Sequence, residues 1–234
     1  NNLEIGKIRK VMVEYPQGWL SDKLESTGQK QAVWRSDPQK AGISNCFGDI
    51  GTHCGYLAQY ISGLRITEVL AGLNIFVPGR SLDDDADVLF KMEQGVKGVI
   101  SASQVAQGDE NNLKFRIYGE KGALEWSNND HNTLLVKKQG RPTQIFRSGV
   151  DNSYLHEETH LNMRTPSGHP EGYIEAFANI YRYFSEDVRQ YRADPIIDRN
   201  HKYPNIDDGF KGMALVDAVV ASSADGNIWK KIEE

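Results

Sequence analysis

The sequence predicts an α+β fold: a large, open, mostly antiparallel β-sheet with helices packed on one face. Three observations lead there. About eight segments alternate apolar and polar residues, the period of two that a half-buried strand requires. Most of them are joined by short turns, the connection that antiparallel neighbours use. Three longer segments place apolar residues three and four apart, the stripe of an amphipathic helix.

Composition sets the outer limits. The 234 residues are 39% hydrophobic and 25% charged, ordinary for a globular chain and enough for a sizeable core in one domain spanning 1–234. A net charge of -5 argues against a nucleic-acid partner. Two cysteines, Cys46 and Cys54, define neither a metal site nor a disulfide framework and read as reduced core thiols of a cytoplasmic protein. No apolar run is long enough to cross a membrane, and no leader peptide is recognisable.

The elements follow in order. Ile5 to Tyr15 alternates as a strand, with Arg9, Val11, Val13 and Tyr15 on one face, and Pro16-Gln17-Gly18 ends it. Residues 21–42 are polar with few apolar anchors and read as a loop; Trp34 would pin it and Arg35 could clamp a hydroxyl-rich or anionic ligand or make a surface salt bridge. Between Cys46 and Gly63, Ile50, Cys54, Leu57, Ala58 and Ile61 mark one helical face, and Gly63 closes the helix. Further strands are expected within 67–76, 86–92, 96–104, 113–117, 123–126, 133–138 and 143–146. Asp83-Asp84-Asp85 lacks the glycine and distal glutamate of a calcium loop and reads as a solvated turn. Residues 149–168 read as a long polar loop. Pro170 suits a first helical position, and Tyr173, Phe177, Ile180, Tyr181, Phe184 and Val188 mark the next helix. Asp194-Pro195 and Tyr203-Pro204 bound a connector. Asp207 would cap a last helix, apolar nearly all round, that Gly226 ends.

The chemistry gathers on the first helix. Asp49 and His53 lie four residues apart, one turn from each other beside the apolar stripe. A carboxylate so placed can orient an imidazole and raise its basicity. On spacing alone, Asp49 reads equally as a helix cap and His53 as a half-buried structural histidine. His156-Glu157-Glu158-Thr159-His160 matches the His-Glu-x-x-His zinc pattern, but no apolar stripe supports the helix that pattern needs.

Trp34-Arg35-Ser36-Asp37-Pro38, Ala41-Gly42, Gly48-Asp49-Ile50-Gly51-Thr52-His53, the run from Ser167 to Tyr181 and Asp207-Asp208-Gly209 together resemble the glucose–fructose oxidoreductase and inositol dehydrogenase family, in its C-terminal substrate-binding domain. The resemblance implies an NAD- or NADP-dependent oxidoreductase acting on a sugar or polyol. It implies His53 and Asp49 as the catalytic pair, and Tyr15, Gln17, Arg35 and His169 as substrate-side residues. It also implies homo-oligomerisation through the open sheet face, for which Val11, Leu89, Val99 and Tyr118 offer apolar positions.

The family's glycine-rich nucleotide turn is not found: no two of the 22 glycines are spaced i, i+2. Its Glu-Lys-Pro motif is matched only by Glu120-Lys121-Gly122, in a turn between strands. The expectation is therefore a fragment, inactive alone, whose nucleotide-binding domain is absent. The alternatives are a non-catalytic carbohydrate-binding or dimerisation module, and a zinc hydrolase built on His156 and His160.

Overall fold

The computed structural model describes residues 5–194 and 202–233. Nine strands form one sheet in the order β8-β7-β6-β5-β1-β4-β3-β2-β9. They are β1 (Ile8–Pro16), β2 (Ile66–Asn74), β3 (Asp85–Met92), β4 (Lys97–Ser103), β5 (Lys114–Gly119), β6 (Gly122–Ser127), β7 (Thr133–Lys138), β8 (Gln144–Arg147) and β9 (Lys230–Lys231). The expected mostly antiparallel sheet is corrected to a mixed one: β1 and β4 pair in parallel at its centre, Val11 opposite Gly98 and Val13 opposite Ile100, while the other pairings are antiparallel. Counting short turns reveals only hairpins between consecutive strands. The parallel pair arises because β2 and β3 fold out beyond β4, which then sits against a strand about ninety residues earlier.

Helix α3 (Thr52–Ser62) packs on β1, and α6 (Ile206–Ala224) packs on β2. They cover a core that includes Val11, Val13, Val69, Ala71, Val88, Phe90 and Ile100. The two helices approach closely at Gly55, where an added Cβ would lie 2.3 Å from Leu215 Cδ2. β9 pairs with β2 only at Glu68 and Val69. Farther along that edge, Ala71 and Leu73 donate their N–H groups to Ser222 and Ser223 hydroxyls at 2.9 and 3.0 Å, so helix α6 finishes the edge that β9 leaves open.

Several local expectations change. The segment read as a loop before the site contains α1 (Lys30–Arg35) and α2 (Pro38–Ala41), short helices capped by Gln29 and Asp37 side chains. The long polar loop contains α4 (Glu157–Leu161). α5 runs Tyr173–Ala193, so Pro170 precedes it rather than opening it. Asn205, not Asp207, caps α6. Val11 is fully buried on the helix side and is not part of the open face. The connector predicted at Asp194-Pro195 runs on into residues outside those described.

Asp83 and Asp84 are buried, not solvated. Asp83 accepts from the N–H groups of Asn45 and Phe47 at 2.9 and 2.8 Å, and so fixes the start of the helix that carries Asp49. Asp84 accepts from Phe76 N, Val77 N and Arg80 Nη1. The triplet is acidic because the fold spends two of its carboxylates on buried backbone donors.

Candidate active site

The segment before α3 is not ordinary α-helix. Phe47–Gly51 forms a π-helical turn, with Thr52 N–H reaching back to Phe47 O. Such wide turns recur at functional sites. Gly51 permits it: a Cβ there would lie 2.2 Å from the Phe47 ring, itself fully buried. Asp49 lies inside this turn, and His53 is the second residue of α3.

The structure gives the Asp49 carboxylate to other partners. Arg35 Nε donates to Asp49 Oδ2 at 2.8 Å, and Arg35 Nη2 reaches Oδ1 at 3.4 Å. Gln104 Nε2 donates to Oδ2 at 2.8 Å. No hydrogen bond joins Asp49 to His53 among the described residues, so the expected orienting contact is corrected: Asp49 is clamped by Arg35 and Gln104. Arg35 is itself held from above and below, its guanidinium 4.3 Å from the Trp34 ring and 5.7 Å from the Trp19 ring. Gln31 Oε1 takes a further N–H at 2.6 Å.

His53 is exposed and stands edge-on to Tyr15, with ring centroids 6.2 Å apart. Tyr15 donates its hydroxyl to Asn111 Oδ1 at 2.7 Å, Gln17 Nε2 donates to the same oxygen at 2.7 Å, and Trp19 Nε1 donates to Gln17 Oε1 at 3.0 Å. Burial pushes the Tyr15 hydroxyl above its ordinary value against the pull of those amides, so it is a phenol, not a phenolate, at neutral pH.

One open cavity of about 400 Å³ collects these groups: Tyr15, Gln17, Trp19, Arg35, Asp49 and His53 line it, with Gln29, Gln31, Ile50 and Glu110. Five of the six sequence-predicted site residues meet there. His169 does not: it is exposed in the turn before α5, with Nδ1 3.2 Å from Pro166 O, and does not line this cavity. Trp19, Gln104, Glu110 and Asn111 were not singled out in the sequence. Gln104 alone left a signal, as the polar member of the buried series Gly98, Ile100, Ala102, Gln104.

A second cavity of about 390 Å³ shares Asp49 and Arg35 with the first and is otherwise lined largely by Trp34, Ile43, Asn45, Gly48, Met213 and Val216. Asn45 Oδ1 is buried there without a hydrogen-bond partner among the described residues. At the zinc pattern, His156 caps α4 and its Nδ1 accepts from Glu158 N at 3.3 Å, while His160 lies within the helix; His156 is exposed and His160 half-buried. The described residues contain no group of three or more His, Cys, Asp or Glu side chains placed to hold a metal ion.

Residues 1–125 match the GFO/IDH/MocA C-terminal domain. The oxidoreductase YfiI of Bacillus subtilis (strain 168), described as uncharacterized, is 35% identical over 229 residues, which is 96% of this chain and 58% of that protein. An inositol dehydrogenase homolog from Azotobacter vinelandii, solved with NAD+, superposes with a TM-score of 0.90 at 34% identity, covering 97% of this chain and 59% of that one. The same homolog solved with NADH and myo-inositol gives 0.87 at 32% identity, with 97% and 58% coverage. The chain thus spans just under three-fifths of the relatives' length. That coverage corrects the expectation of an absent nucleotide domain: a match to part of a longer relative, and a missing glycine pattern within these residues, do not establish that the protein lacks one.

Proposed function

Because the chain belongs to the GFO/IDH/MocA family of oxidoreductases, we propose that the intact protein transfers a hydride between a nicotinamide cofactor and a secondary alcohol of a neutral sugar or polyol. One observation carries the reading. An imidazole without a hydrogen bond among the described residues shares a cavity with a clamped carboxylate and a row of neutral hydrogen-bonding groups. The neighbour solved with NADH and myo-inositol supports the substrate class.

His53 takes the hydroxyl proton as hydride leaves the same carbon. Asp49, fixed by Arg35 and Gln104, accepts a hydrogen bond from a neighbouring hydroxyl. Tyr15 and Gln17 bind further hydroxyls from the strand end, and Trp19 offers a flat face to the ring. Arg35 is the one Lys or Arg among the cavity's lining residues, and Asp49 already neutralises it, while Glu110 adds negative charge. Such a site favours a neutral polyol over a phosphorylated or acidic sugar.

The second cavity fits the cofactor's nicotinamide. Its walls are mostly apolar, and the orphaned Asn45 Oδ1 is an acceptor for a carboxamide N–H. Asn45, Ile43 and Met213 would hold the ring beside Asp49. When bound, the cofactor supplies the hydride acceptor; NAD and NADP are not distinguished by these residues.

The test is nicotinamide reduction by the intact protein on a panel of neutral sugars and polyols with their phosphate and carboxylate analogues. Turnover of a neutral member, with poor use of the charged analogues, is expected. Sugar binding without nicotinamide reduction would instead identify a carbohydrate-binding module, and stoichiometric zinc a hydrolase.

The reading includes assembly through the open sheet face. Met12, Val99, Leu89 and Leu70 lie side by side across β1, β4, β3 and β2 on the face away from the helices. Leu89 is 46% exposed, and ion pairs such as Lys91–Glu68 and Lys114–Glu14 border the stripe. An apolar centre with a charged rim is the anatomy of an interface. Leu89→Glu is expected to lower the assembly state in analytical ultracentrifugation without lowering the thermal midpoint; an unchanged mass would remove this face from the interface. Both cysteines are free and buried, in keeping with a cytoplasmic location, and no helix among the described residues is long and apolar enough to cross a membrane.

A further inference from the structure

α5 is amphipathic in the expected way but faces the unexpected way. Its polar side turns inward: Asn179 and Tyr183 are buried, with Asn179 Nδ2 donating to Asn162 O at 2.9 Å and Tyr183 Oη to Asn162 Oδ1 at 3.0 Å. Its apolar side turns to solvent. Tyr173 is 77% exposed, Phe177 48%, Ile180 41%, Tyr181 68% and Phe184 53%. Tyr203 packs edge-on to Phe184 with ring centroids 5.9 Å apart, and the exposed remainder of the stripe is left for something else to cover.

We propose that this stripe is a second homo-oligomer interface, in which α5 pairs antiparallel with α5 of another copy. The spacing argues for it first. Tyr173, Phe177, Ile180 and Phe184 recur at steps of four, three and four, and Tyr191 follows one heptad after Phe184, which is the seam of a two-helix pair. The pattern is also its own complement. Turned about Arg182, the helix sets Ile180 against Phe184 of the second copy, Phe177 beside Val188, and Tyr173 against Tyr191. A surface that matches its own rotated image is what a twofold contact requires.

Size and charge agree. Side chains of roughly 150–250 Å² each, 41–77% exposed, add over Tyr173, Phe177, Ile180, Tyr181, Phe184 and Tyr191 to on the order of 700 Å² per copy, and two copies would bury an interface towards the lower end of standard size. Glu171 and Glu175 lie at the helix start, and Arg189 and Arg192 at its end. Antiparallel pairing brings each acidic start beside a basic end and opposes the two helix dipoles.

The experiment uses the intact protein. Ile180→Cys and Phe184→Cys are made separately, mixed and mildly oxidised; Cys46 and Cys54 are buried and stay out of reach. The mixture is expected to give a disulfide-linked dimer in good yield and each variant alone far less, because 180 meets 184 across the axis. Tyr181→Glu places two like charges beside the axis and should weaken this association at least 100-fold by ultracentrifugation, with an unchanged circular dichroism spectrum. The cross-link should survive Leu89→Glu, which touches only the open sheet. A mixture that does not cross-link, or a Tyr181→Glu protein of unchanged mass, would overturn the proposal and leave the stripe to another part of the protein or to a different partner.

Discussion

Replacing His53 by alanine should lower turnover of the intact protein on the neutral sugar or polyol proposed as its substrate by about a hundred- to ten-thousandfold, the usual contribution of one positioned proton-transfer group. KM should stay within a fewfold, because Asp49, Tyr15 and Gln17 remain to bind hydroxyls. The prediction follows from where the imidazole stands. It is exposed to the cavity, stacks edge-on against Tyr15, and makes no hydrogen bond to the protein among the described residues. Nothing in the fold therefore depends on it, and thermal stability should change little. A buried, bonded histidine would behave in the opposite way, losing stability together with activity. Steady-state kinetics beside a thermal melt separates the two cases. Turnover unaffected by the substitution would remove His53 as the base, while Asp49 and its clamp would still stand as a binding site.

What the sequence revealed depended on whether neighbours in space were neighbours in the chain. Helix α3 was legible because its apolar face and its closing Gly63 are local signals. Asp49 and His53 were legible as a pair for the same reason, but their relation was misjudged. A π-turn is set by Phe47 packing against Gly51 and by Asp83 anchoring the backbone from more than thirty residues away, and neither leaves a mark in helical periodicity. The parallel β1–β4 pair is non-local in the same sense. So are Gln104 and Asn111, which follow β4 in the chain and reach the site only after β4 takes its place beside β1. α5 shows the converse limit: periodicity identified its apolar stripe but could not say whether that stripe faces inward or outward.

Arg80→Met should cost about 3–5 kcal/mol, the penalty for leaving a buried charge without its partner. For a chain of this size that is a fall in thermal midpoint of roughly 6–20 °C. The Arg80 side chain is 2% exposed and Asp84 is 0% exposed, with Nη1 and Oδ2 3.2 Å apart. The same guanidinium forks onto Glu25 at 3.0 and 3.2 Å and donates to Asp22 O at 3.0 Å. Burial works to raise the Glu25 carboxyl, yet its bonds to Arg80, helped by Lys23, hold it below the ordinary range. Pairs such as Lys91–Glu68, 38% and 30% exposed, are expected to contribute far less. Adding Asp84→Leu to Arg80→Met removes the stranded charge but orphans the N–H groups of Phe76 and Val77, so only part of the loss should return. The network also ties the 22–25 turn to the body of the fold just ahead of α1, whose Gln31 and Arg35 line the cavity. Polyol affinity should therefore weaken in Arg80→Met even below its melting temperature, although Arg80 touches no ligand. Urea unfolding with a loss below about 1 kcal/mol would show that water reaches this network and that the loop is held by packing instead.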